Sequence, residues 1–312
     1  MNLISLKITK FFIIFFLLSS CKSTYTKIGS ENANYIPYFS KMYEADSLYL
    51  AENYQRSYEI LDSLFKKYEP INSEDEYFTY VACKIMLNKS EKEVKKDFVY
   101  MLENFGNQDD HIERSNEKVK NLIVKIDTFG IDTKKAIEKY KKSIDIPLRN
   151  LVISMNRKDQ EPRGEHSDFE KMKIVDEENT KILDSLLKIN KYPHQRIVGK
   201  DDKDGENSDI GGIMIHTSQE YKENFLMEKA YDLLKKGKIT PHTYSTVYDR
   251  YSLHISDDEY YFTKHRNASP EEKKLKNERR KTIGLYSLDY ISWKYKKSII
   301  TNFNCLNILI EK

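Results

Sequence analysis

The chain of 312 residues sets 52 Lys and Arg against 49 Asp and Glu, a formal net charge of +3. That balance argues against a polyanion binder, whose basic excess usually gathers on one face, so no nucleic-acid partner is expected. Ten Gly and seven Pro supply too little turn chemistry for a many-stranded barrel or a collagen, and the expected fold class is all-α.

The first twenty residues read as an export signal. Lys7 and Lys10 form a basic front end, and Phe11 to Leu18 is an unbroken apolar run. Eight residues are too few to cross a bilayer core as a helix, which takes about 20. The run ends in Leu18-Ser19-Ser20-Cys21, which resembles a bacterial lipobox and makes Cys21 the expected lipidation site. An ordinary signal peptide with a chance Cys is the alternative. Acyl chains on Cys21 would anchor the mature chain to a membrane without a spanning helix. Lys22-Ser23 follows the Cys where an inner-membrane retention signal would place Asp. The expected address is therefore the outer membrane, facing the periplasm. Removing residues 1–20 leaves 50 basic against 49 acidic residues, a net charge that gives no sign of electrostatic adhesion to anionic lipid. Residues 21–34 are polar and aperiodic, as suits a flexible tether.

Over residues 35–127 the pattern is helical. Met42, Ala45, Leu48 and Tyr49 repeat at three- and four-residue steps. The run breaks at Glu52-Asn53, and Tyr54, Tyr58, Leu61, Leu64, Phe65 and Tyr68 resume it before Pro70. This helix–turn–helix unit resembles a tetratricopeptide repeat, with Ala45 and Ser57 as its small packing residues. A degenerate second unit is expected over Glu74 to Phe105. The resemblance implies a surface for a protein or peptide partner; a helical stack that merely packs on the next domain is the plainer alternative. Two units need a cap, and the helix around Val119 to Ile126 is the candidate.

The two helical domains are expected to meet between about 128 and 145, with the second covering 145–296 and a tail at 297–312. Pro147 suits the first turn of a helix, and Asn156 to Asp168 reads as a loop. Further helices are expected at Phe169–Asn190, Asp209–Lys236, Pro241–Leu253, Glu271–Thr282 and Leu288–Tyr295. Beyond Cys21 the thiols are Cys83 and Cys305; two buried free thiols are expected rather than a bridge.

Signatures of strong catalytic sites are missing. There is no G-x-S-x-G, no phosphate loop, no H-E-x-x-H and no G-x-G-x-x-G. No metal site or cofactor is indicated. In order along the second half stand Met155-x₃-Asp159-Gln160-x₂-Arg163, Val175-Asp176-x₂-Asn179, Tyr192-Pro193, Val198-Gly199, His216, Gly237, Tyr248-Asp249-Arg250 and Arg279-Arg280-x₃-Gly284-Leu285. That succession resembles an uncharacterised bacterial domain-of-unknown-function family, number six-six-two-four, over about 145–295. Members commonly carry Gln-x-Tyr-Gly-Thr-Gln where this chain has Glu259 to Lys264. The resemblance implies no activity.

Physically, charged groups among apolar stripes must be paired. Asp159, Gln160, Arg163, Asn179, His216, Asp249 and Arg250 are therefore expected to converge in one network. Such a network is a structural clasp, an anion site or an acid–base site. The expected function is a non-catalytic, lipid-anchored interaction protein, and the runner-up is an envelope hydrolase or small-anion binder around His216 and Asp249/Arg250.

Overall fold

Helix follows helix from Ile36 onward, and no strand forms among the described residues, where Thr26 and Tyr68 make one isolated bridge. The computed structural model describes residues 25–106, 119–121, 130–164, 166–199, 206–262, 268–294 and 296–297. The signal segment, Cys21, most of the expected capping helix, Thr263-Lys264, Cys305 and all of the tail but Lys297 lie outside them. The all-α expectation holds.

Helices α1 (Ile36–Leu50) and α2 (Tyr54–Phe65) form the first hairpin. The turn works because Glu52 adopts φ 61° and Asn53 caps α2, accepting from the Arg56 N–H at 3.3 Å. Ala45 and Ser57 are fully buried where the helices cross, and the Ser57 hydroxyl donates to the Ala45 carbonyl at 2.8 Å. A π-helical turn (Ser73–Phe78) then runs into α3 (Thr79–Met86), and α4 (Glu91–Phe105) starts from a Ser90/Glu93 capping box. Aromatic rings fill this half. Tyr35, Tyr38 and Tyr68 meet edge to face at 5.2 to 5.6 Å, and Phe65 packs on Tyr77 and Tyr80 at 5.2 Å. Such pairs add about 0.5–1.5 kcal/mol each beyond their buried area.

A further helix packs on this half. Residues 133–143, where the domain junction was placed, form helix α5 (Thr133–Ser143), capped by Asp132 and packed on α4. Lys139 pairs with Glu103 at 2.7 Å, and the Tyr140 ring lies against Gly106. Val119 is buried in the same core.

The second half comprises α6 (Ile146–Gln160) with a 3₁₀ extension (Glu161–Arg163), α7 (Phe169–Lys188), the short α8 (Gln195–Val198) and α9 (Gly211–His216). The next helix, α10, is built end to end from Gln219–Tyr221, Lys222–Leu226 and Met227–Lys235. Helices α11 (Pro241–Ser256) and α12 (Pro270–Thr282) follow. Asp145 caps α6 with Pro147 in its first turn. The single helix expected over Asp209–Lys236 is broken at Thr217-Ser218. Ser218 caps the next helix through the Tyr221 N–H at 3.1 Å, and the Thr217 hydroxyl turns back to the Met214 carbonyl at 2.9 Å. Hydroxyl side chains of this kind offer the backbone an alternative to the helical ladder.

One hydrophobic core runs through both halves. The Tyr35 N–H donates to the Lys235 carbonyl at 2.8 Å, and the Tyr35 ring fills the space over Gly237, whose φ of 68° disfavours any larger residue there. Gly284 (φ 74°) lies against the Ile36 carbonyl. Tyr43 stacks edge-on with Tyr286 and Tyr290, and the Tyr290 hydroxyl donates to buried Asp46. Arg196 donates to the Asn104 carbonyl at 2.8 Å and lies over the Phe105 ring.

The described part of the expected tether is not free. Thr26 exchanges backbone bonds with Lys67 (2.8 Å) and Glu69 (2.9 Å), the Ile28 N–H donates to the Glu69 carboxylate, and the Gly29 N–H donates to the Lys236 carbonyl. Backbone pairing leaves no side-chain period, so composition alone could not show it. Cys83 is buried and free, its thiol pushed up to about 12 by burial, against a lowering hydrogen bond from Ser57.

Candidate functional site

Three chain segments deliver the polar cluster. Asp159 is the last residue but one of α6, and Pro162 turns the 3₁₀ extension so that Arg163 folds back over it. The Arg163 guanidinium donates to the Asp159 carbonyl at 2.5 Å and lies 3.1 Å from its carboxylate. Its other nitrogen reaches the Asp176 carboxylate on α7 at 2.6 Å. The break after α9 leaves His216 at that helix's end, with Nδ1 2.8 Å from Asp159 Oδ1, the oxygen that also faces Arg163. Gln160 donates to Asp159 at 2.6 Å.

Asp159 is the hub. Its side chain is 1% exposed, against 27% for His216, 24% for Asp176 and 16% for Arg163. Burial pushes its carboxyl up, but the His216 hydrogen bond, the His216 and Arg163 charges and the Gln160 bond outweigh it, holding the group below the usual carboxylate range. The carboxylate is thus kept ionised inside the protein by partners from three directions.

Four expected members of the network assemble: Asp159, Gln160, Arg163 and His216. Asn179 is buried beside them, but its amide goes to the Met155 carbonyl at 3.4 Å. Asp249 is a correction. It accepts the Tyr261 N–H at 2.6 Å, while the Tyr261 carbonyl accepts from buried Arg280 at 2.9 Å. A second clamp therefore holds the residues that open the 259–264 stretch. Lys276 joins it through Asp258, at 2.6 and 2.8 Å, and the Glu259 carbonyl. Arg250 is a second correction: it is exposed, and enters the cluster only as a positive charge near Lys222. The expected single network thus divides, His216 meeting Asp159 while Asp249 meets Tyr261, because helix periodicity locates a side chain on its own helix but not the partner it meets.

Two members were missed. Asp176 stands in the quoted Val175-Asp176 pair yet was not assigned a partner. Lys222 is 2% exposed within α10, and its amine donates to the Thr217 carbonyl. Its pKa falls to about 8, through burial first and the Arg250 charge second, with Asp176 opposing. A lysine four residues before buried Leu226 was the available signal.

Asp159, Asp176 and His216 offer ligand atoms within 4.8 Å of one another, the spacing of a metal site. Arg163 already stands between the two carboxylates, so a metal ion would have to displace its guanidinium. Comparison with protein-family models, with curated proteins and with solved structures finds no match for this chain.

Proposed function

We propose that the protein is a lipid-anchored cell-envelope protein, held at the outer membrane through Cys21 and facing the periplasm, that acts as a non-catalytic binding protein. Its N-terminal hairpins, α1 to α4, would dock a protein or peptide partner as tetratricopeptide repeats do. The observation that carries the non-catalytic part is the closure of the Asp159 cluster. Its hub carboxylate is buried and answered by His216, Arg163 and Gln160, each within hydrogen-bond or ion-pair distance. Groups satisfied in this way hold α6, α7 and α9 together and leave little for a substrate to engage.

Two experiments test the proposal. Cys21→Ser should abolish acylation and release the chain from the membrane fraction; unchanged acyl labelling would end the anchoring part. Asp159→Ala and His216→Ala should lower the melting temperature, and neither variant should lose a ligand in a screen of metabolites and cell-wall fragments.

A hydrolase or small-anion reading keeps one observation in its favour. His216 is partly exposed with Nδ1 held by a buried carboxylate, which leaves Nε2 free as a general base needs. Under that reading His216→Ala keeps the wild-type melt and loses turnover or binding.

A further inference from the structure

Acylation at Cys21 would put the lipid only five residues from Thr26, where the chain is first fixed to the body by its bonds to Lys67 and Glu69. A chain advances at most about 3.5 Å per residue, so the Cys21 and Thr26 Cα atoms are no more than about 18 Å apart. The 20 residues of α7 alone are about 30 Å long. An anchor this short keeps the exit point within about 18 Å of the acylated Cys, close enough for the face around it to meet headgroups.

That face is basic. Lys238 lies beside the exit segment, its Cε 2.9 Å from where a Cβ on Gly29 would stand. Lys229 and Lys238 converge on Asn190, donating to its side chain at 2.9 Å and its carbonyl at 3.3 Å. The Lys238 pKa is lowered, by burial first and then by the charges of Lys236 and Lys229, with Asp232 opposing, so the three amines share one positive field. Asp232 pairs with Lys236 at 2.8 Å, and Glu69 is engaged by Ile28 and Arg196. Glu31 is the one acid in the 25–35 segment, which also carries exposed Lys27. Next to Asn190 stands Ile189, 67% exposed at the end of α7, and Tyr25 at the exit is 42% exposed. Lysines around an exposed aliphatic and an aromatic residue make the surface that settles on phospholipid headgroups.

We infer that the anchored protein lies flat on its own membrane, with Lys27, Lys229, Lys236 and Lys238 on phospholipid phosphates and Ile189 in the interfacial layer. The inference rests on the proposed acylation of Cys21.

The test uses the acylated full chain in phosphatidylcholine vesicles containing phosphatidylglycerol, with lysine acetylation followed by mass spectrometry. The reference is the same protein after the vesicles are dissolved in a nonionic detergent. Lys27, Lys229, Lys236 and Lys238 should react several-fold more slowly on the vesicles. Exposed Lys173, about 22 Å along α7 from Lys188, should react at one rate in both. Equal rates at the four lysines in an acylated, vesicle-bound protein would overturn the inference while leaving the anchor intact. An N-terminal peptide without acyl mass at Cys21 would overturn both, and the mass itself tells the two failures apart.

Discussion

The hairpins of residues 35–106 and the helices of residues 146–262 are the same secondary structure held together in different ways. In the first, aromatic and aliphatic faces interlock around local polar contacts, such as Ser57 on Ala45 and Lys84 with Asp97. In the second, a buried carboxylate gathers an arginine and a histidine from separate segments. Apolar packing tolerates small losses, since neighbours partly close over a gap. An ionic hub tolerates less, because losing a partner leaves the buried Asp159 carboxylate under-compensated.

The largest effect should therefore come from Asp159→Ala, which leaves Arg163 with Asp176 alone and His216 without its carboxylate. A loss of about 3–5 kcal/mol in equilibrium unfolding is expected for a broken buried charge pair. Next comes the seam between the regions, where His194 is held at about 4, by burial first and then by the charges of Lys238 and Arg196. The unfolded histidine titrates near 6.5, so between there and about pH 4 the unfolded chain binds a proton that the folded protein refuses. Stability should be full above pH 6.5 and fall by up to roughly 1.4 kcal/mol per pH unit below it. His194→Gln should flatten that part of the pH profile.

Within the aromatic half Tyr38 donates to buried Glu76, which also accepts from the Ile71 and Asn72 N–H groups at 3.1 and 3.3 Å. Tyr38→Phe removes one of several donors and should cost about 1.5–3 kcal/mol by urea titration. The smallest effect is expected at the exposed Arg56–Glu59 pair, where Arg56→Ala should change stability by less than about 1 kcal/mol. A loss at Arg56 as large as at Asp159 would erase the contrast between the regions.

The same contrast explains what the sequence made legible. The three- and four-residue spacing of Met42, Ala45 and Tyr49 reports a helix directly, and Ala45 and Ser57 met as their small size suggested. Asp159, Arg163 and His216 were recognisable as charges needing partners. Asp249 was recognisable in the same way, but its partner is a backbone N–H twelve residues on, which no side-chain pattern announces. Helix α5 escaped because Thr133–Ser143 is dominated by lysine and offers only Ala136, Ile137 and Tyr140 as an apolar edge. Residues 26–35 escaped because their attachment runs through peptide groups, which every sequence possesses.

The central claim, that the Asp159 cluster is a clasp, is tested most directly by a double-mutant cycle on Asp159 and His216. Unfolding free energies of Asp159→Ala, His216→Ala and the double variant give their coupling. A clasp predicts a coupling above about 1 kcal/mol, with the double variant no less stable than Asp159→Ala alone by more than a few tenths. Additive effects within about 0.5 kcal/mol, or two single variants that unfold like the wild type, would contradict it.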